Sequence, residues 1–510
     1  MITKIMSCAL LGIDGIPIDV EVDTSQGFPG FSIVGLPDNA VKESKERVKL
    51  SIRNSGFQFP QGKIVVNMAP ADLKKEGSAY DLPTAIGLLA NKGVVKKDKI
   101  NKFYILGELS LDGGIKEIKG ALPITLKAKE ENMEGIILPS CNGYEAAVVN
   151  GIKVLGFSHL KEVVNFLNDE TSEKEFVFQV DIKQILNAPA SISYDFKEVK
   201  GQFHVKRALE VAAAGGHNVI MVGPPGSGKT MLAKRLPSIL PPLTFDEALE
   251  TSKIHSVVGL LDSKNFLIIK RPYRAPHHTI SDIALIGGGS YPSPGEVSLA
   301  CNGILMLDEL PEFKKSVLEV LRQPIEDGKV TISRATTTLT FPSKFMLVAA
   351  MNPCRCGFYG STVRECTCTV NEIKKYQSRI SGPLMDRIDI HIEVPSVKHE
   401  DLFKKEEGES SDKIRERVVK ARKIQIERFK KDNIFCNAQM NEKLQKKYCK
   451  LDEKCISILE MAIKRMGFSA RAYSRIIKVA RTIADIDDSP NIKSNHILEA
   501  IQYRTLDKEH

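Results

Sequence analysis

Long hydrophobic runs are missing from this sequence of 510 residues. No stretch reaches the roughly 18 consecutive apolar residues that a membrane-spanning helix needs, so we expect no membrane span. The N-terminal apolar stretch is interrupted at Asp14, and no small-residue cleavage site of a secretory signal peptide follows it. We therefore expect a cytoplasmic protein with no membrane partner.

A strong charge of one sign is also missing. The chain has 72 basic and 63 acidic residues, a formal net charge of +9. This mild excess is compatible with nucleic acid binding but is also common in proteins that never bind it. Ten cysteines without a secretory context favour a reducing compartment, in which thiols stay free or bind metal. The composition is that of a globular chain long enough for two to four domains.

Apolar patterning divides the chain into blocks. Residues 1–165 mix short strands and helices, and Asp81 is placed to cap one of these helices. The polar, unpatterned segment 166–198 is interpreted as a linker. In 199–397, continuous apolar runs alternate with helical stretches, which predicts a parallel α/β sheet covered on both faces. Residues 398–510 are basic with helical spacing and predict a C-terminal helical domain.

A phosphate-binding loop is the most specific motif in the chain. Its residues match G-x-x-x-x-G-K-[ST] in full, follow an apolar strand and precede a helix, as the motif requires. Lys229 is expected to reach the β- and γ-phosphates, and Thr230 to offer its hydroxyl to Mg²⁺. The residues predicted to bind ATP are Gly223, Pro224, Pro225, Gly226, Ser227, Gly228, Lys229 and Thr230.

Polar residues end two of the apolar runs that follow. Asp308 is expected to hold Mg²⁺, directly or through water, and Glu309 to polarise the attacking water. Two acids at a strand end are often a helix cap, but their place downstream of a complete P-loop favours catalysis. Asn352 can position the same water or contact the γ-phosphate, although Asn-Pro is also a frequent turn pair.

Further segments resemble the ComM/YifB group of magnesium-chelatase-like AAA+ ATPases over essentially the full length. They are AAAGGHN at 212–218, RAPHHTIS at 274–281, GEVSLA at 295–300, DELPE at 308–312 and SGPLMDRID at 381–389. The resemblance implies a Lon-protease-like domain over 1–165, an AAA+ core over 199–397 and a helical lid over 398–510. It implies that Asn352 senses the γ-phosphate.

The resemblance also implies two arginine roles and a ring. Arg387 would be an arginine finger supplied to a neighbour's ATP, and Arg471 a second sensor on the lid. Physically, an arginine stabilises the charge that develops on the transferred phosphoryl group. For Arg387 alone, an exposed or salt-bridged arginine is the ordinary interpretation. An arginine finger that acts between subunits implies a ring, which the family suggests is a homo-hexamer.

The resemblance also implies that the energy of ATP hydrolysis is used to act on DNA. ComM proteins are similar to DNA motors that drive branch migration of incoming DNA during natural transformation, and a β-hairpin before the sensor strand projects into the pore. Residues 328–341 fit such a hairpin, with two β-rich arms and a short polar tip. Lys329 and Arg334 are candidate contacts to DNA phosphates. A hairpin that serves only subunit packing is the alternative.

The first domain resembles the Lon protease but departs from its Ser–Lys dyad. The position of the nucleophile falls on Ala79, with Ser78 one residue away, and the position of the lysine falls near Leu122. Because the dyad needs a lysine to activate a serine, we expect no peptidase activity. An ATP-dependent protease is opposed on these grounds, whereas a chelatase-type ATPase that remodels a partner protein is the main alternative to the DNA motor.

Cysteines and histidines form two further groups. Four thiolates close together can complete a tetrahedral, structural Zn²⁺ site, but C-x-C is tighter than the usual C-x₂₋₄-C spacing. Free thiols in a reduced loop are the alternative. The adjacent histidines 277 and 278 lack paired ligand spacing, and a loop role near the pore or the ATP site is favoured over metal binding. The candidate zinc ligands are Cys354, Cys356, Cys366 and Cys368.

Overall fold

The computed structural model describes residues 2–75, 77–186, 194–289, 292–333, 338–361, 364–396, 408–432 and 434–504. The chain forms two compact units. The first consists of Met1–Ala188 and Phe245–Ile269, and the second of Pro189–Thr244 and Lys270–His510. A segment within the range predicted as the ATPase core, 199–397, therefore belongs to the first unit.

The strands of the described residues are β1 (Thr3–Leu11), β2 (Asp14–Ser25), β3 (Gly30–Val34), β4 (Lys63–Ala69), β5 (Phe103–Ile105), β6 (Glu108–Leu109), β7 (Ile115–Lys116), β8 (Gly135–Pro139), β9 (Lys153–Phe157), β10 (Val219–Val222), β11 (Tyr273–Arg274), β12 (Gly287–Gly288), β13 (Ser293–Pro294), β14 (Ile304–Leu307), β15 (Lys329–Ser333), β16 (Thr338–Pro342), β17 (Met346–Met351) and β18 (Ile390–Glu393).

The α-helices of the described residues are α1 (Asn39–Asn54), α2 (Asp81–Asn91), α3 (Ala121–Glu130), α4 (Gly143–Ala147), α5 (Leu160–Leu167), α6 (Ile182–Leu186), α7 (Phe203–Gly215), α8 (Lys229–Arg235), α9 (Phe245–Val257), α10 (Asp282–Ile286), α11 (Glu296–Leu299), α12 (Lys315–Val320), α13 (Arg322–Asp327), α14 (Val370–Gln377), α15 (Gly382–Met385), α16 (Ser411–Arg428), α17 (Glu442–Tyr448), α18 (Glu453–Met466), α19 (Ala470–Ile486) and α20 (Ser494–Gln502). Short 3₁₀ helices lie at Ile100–Lys102, Ser140–Asn142, Glu173–Glu175, Phe196–Glu198, Leu236–Ile239, Leu310–Glu312 and Asn437–Gln439.

Two larger sheets and a short ribbon build the first unit. The four-stranded sheet has the order β1-β2-β4-β3, and the three-stranded parallel sheet has the order β5-β8-β9. The short strands β6 and β7 pair separately. Helix α2 is buried along nearly its whole length, which is typical of a helix without a polar face. It lies so close to β2 that a Cβ at Gly87 would come within 2.6 Å of Cγ2 of Val22.

Asp81 does not cap α2, and this prediction is wrong. The N-cap residue is Tyr80, and no side chain caps the helix. The carboxylate of Asp81 instead forms an ion pair with Arg47 of α1, with Oδ2 and Nε 2.8 Å apart. Burial raises the pKa of Asp81 to about 6, against the opposing effect of the guanidinium. The role of Asp81 is therefore set by a cationic partner that is distant in the sequence, not by its local preference for capping α2.

Helix α9 is anchored in the first unit by one buried carboxylate. Glu145 accepts hydrogen bonds from the hydroxyl of Ser256 at 2.5 Å and from the backbone N–H of Leu122 at 3.0 Å. Lys253 adds an ion pair to Asp14 at 2.9 Å. Burial raises the pKa of Glu145. These contacts explain why a segment that follows the P-loop helix in sequence packs with the first unit.

A five-stranded parallel sheet forms the centre of the second unit, with the order β11-β14-β17-β10-β18. The residues of β14 and β17 are buried throughout, as expected of strands covered on both faces. The predicted parallel sheet is thereby confirmed, and the strand before Asn352 is Met346–Met351.

Helices α16 to α20 of the second unit confirm the predicted helical C-terminal region. Helices α16 and α19 pack against α7, where the guanidinium of Arg422 donates to the carbonyls of Ala213 and Ala214 at 3.0 and 3.1 Å. In the part of the chain that the structure describes, no helix is both long and apolar enough to cross a membrane.

Candidate active site

The P-loop connects β10 to α8 through two left-handed glycines. Gly226 and Gly228 have φ angles of +76° and +89°, which side chains with a Cβ rarely adopt. At the start of the loop, a Cβ on Gly223 would lie 2.1 Å from the carbonyl oxygen of Val394. Glycine is therefore required here both for backbone conformation and for close packing against the chain after β18.

Lys229 is the first residue of α8, directly after the glycines of this loop, and is buried. Its ammonium donates to the carbonyls of Gly223 and Pro224 at 2.7 and 3.0 Å, and to Oδ1 of Asn352 at 3.1 Å. Burial lowers the pKa of Lys229, although Asp308 opposes this effect. The predicted sensor and the P-loop lysine thus meet at the ends of the adjacent strands β10 and β17.

The predicted magnesium ligands also meet. The hydroxyl of Thr230 donates to Oδ2 of Asp308 at 2.6 Å. Asp308 follows β14, and its Oδ1 accepts from the backbone N–H of Glu309 at 2.9 Å. Glu309 has a left-handed φ of +52°, a conformation that is uncommon outside glycine and often marks functional sites. Its carboxylate is largely exposed to solvent.

These residues fit ATP and Mg²⁺. The ammonium group of Lys229 and the left-handed glycines of the loop are suited to binding phosphate. The hydroxyl of Ser227 is buried and has no hydrogen-bond partner among the described residues. A hydroxyl and a carboxylate are oxygen ligands of the kind that Mg²⁺ prefers. Lys229 and the loop would hold the phosphates, and Thr230 with Asp308 would hold the metal ion.

Arg387 and Arg471 come together at a different place, the carboxylate of Glu326. Nε of Arg387 lies 3.0 Å from Oε2 of Glu326, and its Nη1 donates to the carbonyl of Pro383 at 2.8 Å. Nη2 of Arg471 lies 3.9 Å from Oε1 of the same carboxylate. Arg387 is 7% exposed and borders a surface cavity of about 600 Å³. Among the described residues, neither arginine contacts the P-loop of its own chain.

Family models match almost the whole chain. "Magnesium chelatase, subunit ChlI" matches residues 195–402, "Subunit ChlI of Mg-chelatase" matches 20–142, and "Magnesium chelatase, subunit ChlI C-terminal" matches 408–504. Competence protein ComM of Haemophilus influenzae is 42% identical over 504 residues, which cover 98% of this chain and 97% of that protein. The chain belongs to the ComM/YifB group of magnesium-chelatase-like AAA+ proteins.

Other relatives place the group within the wider magnesium-chelatase family. Protein YifB of Escherichia coli is 42% identical over 501 residues, covering 98% of this chain and 96% of that protein. Magnesium-chelatase subunit ChlI of Euglena gracilis is 22% identical over 294 residues, covering 49% of this chain and 76% of that protein. Full-length similarity is therefore to ComM and YifB, and the similarity to this chelatase subunit is partial.

The cysteine loop of this ComM/YifB protein brings the predicted ligands together. Sγ of Cys354 lies 3.3 Å from Sγ of Cys356 and 3.6 Å from Sγ of Cys366. All ligand atoms of the group, which includes Cys368, lie within 4.8 Å of one another. Hydrogen bonds from backbone N–H groups lower the pKa of Cys356 to about 5. A tetrahedral zinc with Zn–S bonds of about 2.3 Å needs sulfur atoms about 3.8 Å apart, so the thiols fit this metal.

His278 is a site residue whose partner the sequence did not indicate. Its Nδ1 lies 3.5 Å from Oε2 of Glu309. The contact could have been predicted only with knowledge that β11 pairs with β14. Residues that follow neighbouring parallel strands meet at one edge of the sheet. His277 instead turns toward its own loop and contacts the hydroxyl of Thr279 at 2.9 Å.

The predicted hairpin is confirmed in its two arms, β15 and β16, which pair from Lys329 opposite Pro342 to Ser333 opposite Thr338. Lys329 is exposed and lies at the base of the hairpin, at the end remote from the tip. Arg334, the other predicted DNA contact, lies outside the described residues.

In the first unit, the positions aligned with the Lon dyad hold apolar side chains. Leu122 is fully buried and Ala79 packs at the edge of a hydrophobic cluster. The hydroxyl of Ser78 donates to the carboxylate of Glu108 rather than to a lysine.

Proposed function

We propose that this protein is an ATP-driven motor that acts on DNA, works as a homo-hexamer and assists recombination of incoming DNA in natural transformation. The ATPase part is supported by one observation above all. Lys229, Thr230, Asp308 and Asn352 converge at the carboxyl edge of one parallel sheet. The DNA part is supported by 42% identity, over nearly the full length, to a protein named for competence.

The residues suggest a division of labour in ATP hydrolysis. Lys229 exchanges the carbonyls of Gly223 and Pro224 for phosphate oxygens, and Asn352 stays within reach of the γ-phosphate. Thr230 and Asp308 would hold Mg²⁺, which would neutralise negative charge on the phosphates. Glu309 accepts the proton of the attacking water, because its exposed carboxylate stands next to the residue that would hold the metal ion.

A chelatase-type ATPase that remodels a protein partner is the second candidate. It is favoured by the three ChlI-type family models that match the chain. It predicts stimulation of hydrolysis by a protein partner and indifference to DNA, so the two candidates differ in one measurable property.

DNA is expected to stimulate steady-state ATP hydrolysis several-fold. The reason is that a motor couples hydrolysis to movement along its track, and phosphate contacts by basic residues make the response fall as salt rises. The measurement compares hydrolysis without DNA and with single-stranded, duplex and branched DNA, at two or more salt concentrations. Robust hydrolysis that no DNA changes would contradict the DNA motor and favour the chelatase-type alternative.

Two variants serve as controls for this experiment. Glu309→Gln is the blank that shows which phosphate release comes from this active site. The double variant Lys329→Ala with Arg334→Ala is expected to keep the DNA-free rate and to lose stimulation, because it removes the two cations predicted from the sequence to contact DNA without changing the P-loop. Stimulation that survives in this variant would assign the hairpin to subunit packing.

We also propose that the cysteine loop binds one structural Zn²⁺. The loop follows Asn352 directly, and its Gly357 lies so close to the P-loop that an added Cβ would be 2.5 Å from Cδ of Pro225. A metal that fixes this loop would therefore also support the sensor strand and one side of the P-loop. Its role would be structural, because the four thiols fill all positions of a tetrahedral site.

The double variant Cys354→Ser with Cys366→Ser is expected to lose zinc, to lower Tm by about 5 °C or more and to reduce ATP hydrolysis several-fold. The measurements are elemental analysis of protein purified without chelators, thermal unfolding and hydrolysis. Cys141→Ser is the matched control, since Cys141 is an exposed thiol of the first unit. Wild-type protein without zinc, and with the same Tm as the double variant, would show that the thiols are free.

A further inference from the structure

We infer that His278 is a positioning residue for Glu309, holding the carboxylate in the orientation that hydrolysis needs. The inference rests on the proposed ATPase function and gives a specific role to a histidine for which the sequence favours only a loop position near the pore or the ATP site. It is carried by the strand register, by the anchoring of the loop and by the contacts of the two side chains.

The strand register brings His278 to Glu309. Strands β11 and β14 are parallel neighbours, with Tyr273 opposite Ile304 and Arg274 opposite Leu305. Counting on by the same offset places His278 opposite Glu309. The loop that follows β11 therefore runs beside the end of β14, where Asp308 and Glu309 are delivered to the ATP site.

A two-pronged ion pair fixes the beginning of this loop. Nε and Nη2 of Arg274 contact the two carboxylate oxygens of Glu296, each at 2.6 Å. Such bidentate pairs hold both position and orientation. Pro276 follows two residues later and restricts the backbone further. The backbone just before His277 and His278 is therefore restrained by the ion pair and by the proline.

The two histidine rings have different surroundings. His277 is held by its own loop, where its Nδ1 contacts the hydroxyl of Thr279 and its carbonyl accepts from the N–H of Ile280 at 3.0 Å. The ring of His278 lies 4.1 Å from that of His277 and meets the ring of Phe313 edge-on at 6.4 Å. His278 is therefore supported on two sides, and its Nδ1 faces Glu309.

The carboxylate of Glu309 is open to solvent, so few contacts fix its orientation. Its side chain is 60% exposed, and Nδ1 of His278 lies 3.5 Å from its Oε2. The backbone of Glu309 is held by a hydrogen bond from its N–H to Asp308 and by its left-handed φ. A general base acts only within hydrogen-bond reach of the proton that it removes, so a misplaced carboxylate lowers the rate without changing ATP binding.

The test compares His278→Ala, His278→Asn and His277→Ala in the full-length protein, by kcat, KM for ATP, ATP binding and Tm. We expect kcat of His278→Ala to fall about 10- to 100-fold with KM and ATP binding nearly unchanged, since misplacing a reacting group by about 1 Å can cost about 100-fold. Asparagine keeps a donor near the position of Nδ1 and is expected to restore a substantial part of kcat. His277→Ala removes one supporting ring but keeps the contact between His278 and Glu309, so it should lose less kcat than His278→Ala.

Several results would overturn the inference. A raised KM with unchanged kcat would show that His278 binds nucleotide, and a raised kcat would show that it restrains Glu309. Equal losses in His277→Ala and His278→Ala, with equal losses of Tm, would show that the loop acts only through packing. Wild-type hydrolysis that is unchanged in His278→Ala would refute this inference alone, whereas a wild-type protein without hydrolysis would refute it together with the proposed function.

Discussion

Replacement of Glu309 by glutamine is expected to lower ATP hydrolysis by about 10²- to 10⁴-fold while ATP still binds. The amide has the shape of the carboxylate but cannot accept a proton from water. The P-loop contacts of Lys229 and the pair formed by Thr230 and Asp308 are untouched by the change. Hydrolysis is measured at saturating ATP and Mg²⁺, and binding is measured separately with a fluorescent nucleotide.

Glu312→Gln is the matched control for this result. It makes the same chemical change three residues further along the chain, where an exposed carboxylate pairs with Arg379 at 3.0 Å. Its loss removes one exposed ion pair, which is worth little, so hydrolysis should stay near that of the wild type. If Glu309→Gln retained most of the activity, another group would have to be the base, and the roles assigned to both Glu309 and His278 would fall.

The convergence of the candidate ATP-site residues could be predicted from the sequence because its signals are local. The P-loop is one continuous motif, and Asp308 and Asn352 each follow a short apolar run of the length typical of a buried strand. Strands that lie parallel bring their carboxyl ends to one edge, so three separate segments converge on the site without any long-range information.

Features that depend on a distant partner could not be predicted in this way. Asp81 has the position of a helix cap, but its partner Arg47 lies on another helix and determines its role. The tight C-x-C spacing left zinc and free thiols open, and only the fold of the loop shows that the sulfur atoms converge. His278 is equally hidden, because its contact arises from the pairing of β11 with β14.

For Arg387 a salt bridge is the ordinary interpretation of the residue alone, but its partner could not be predicted from the sequence. In the structure it is held within its own chain by Glu326, and this pairing lowers the pKa of that carboxyl. A role at the ATP of a neighbouring subunit therefore requires the guanidinium to exchange Glu326 for a phosphate. The surface cavity beside it, lined also by Glu319 and Arg322, leaves room for such a movement.

Arg387→Ala is expected to lower ATP hydrolysis by about 10³-fold or more with ATP binding retained, if the residue is the finger of the neighbouring site. Mixing this variant with Glu309→Gln should restore activity, although each protein alone is inactive. In a mixed ring, an Arg387→Ala subunit still has Glu309 at its own ATP, and the neighbouring Glu309→Gln subunit supplies Arg387. The measurement is hydrolysis as a function of the mixing ratio, with mixed assembly verified by tagged subunits.

Glu326→Gln separates the finger from the ion pair. This variant breaks the contact within the chain but keeps the guanidinium, so hydrolysis should persist if Arg387 acts on a neighbour's phosphate. If Glu326→Gln lost as much activity as Arg387→Ala, the ion pair itself would be what hydrolysis needs. If verified mixed rings showed no recovery of ATP hydrolysis, action of Arg387 between subunits would be excluded. Arg387 would then no longer support the proposal of a ring. Recovery of hydrolysis in the mixture, together with an active Glu326→Gln variant, would support Arg387 as the arginine finger of the neighbouring subunit's ATP site.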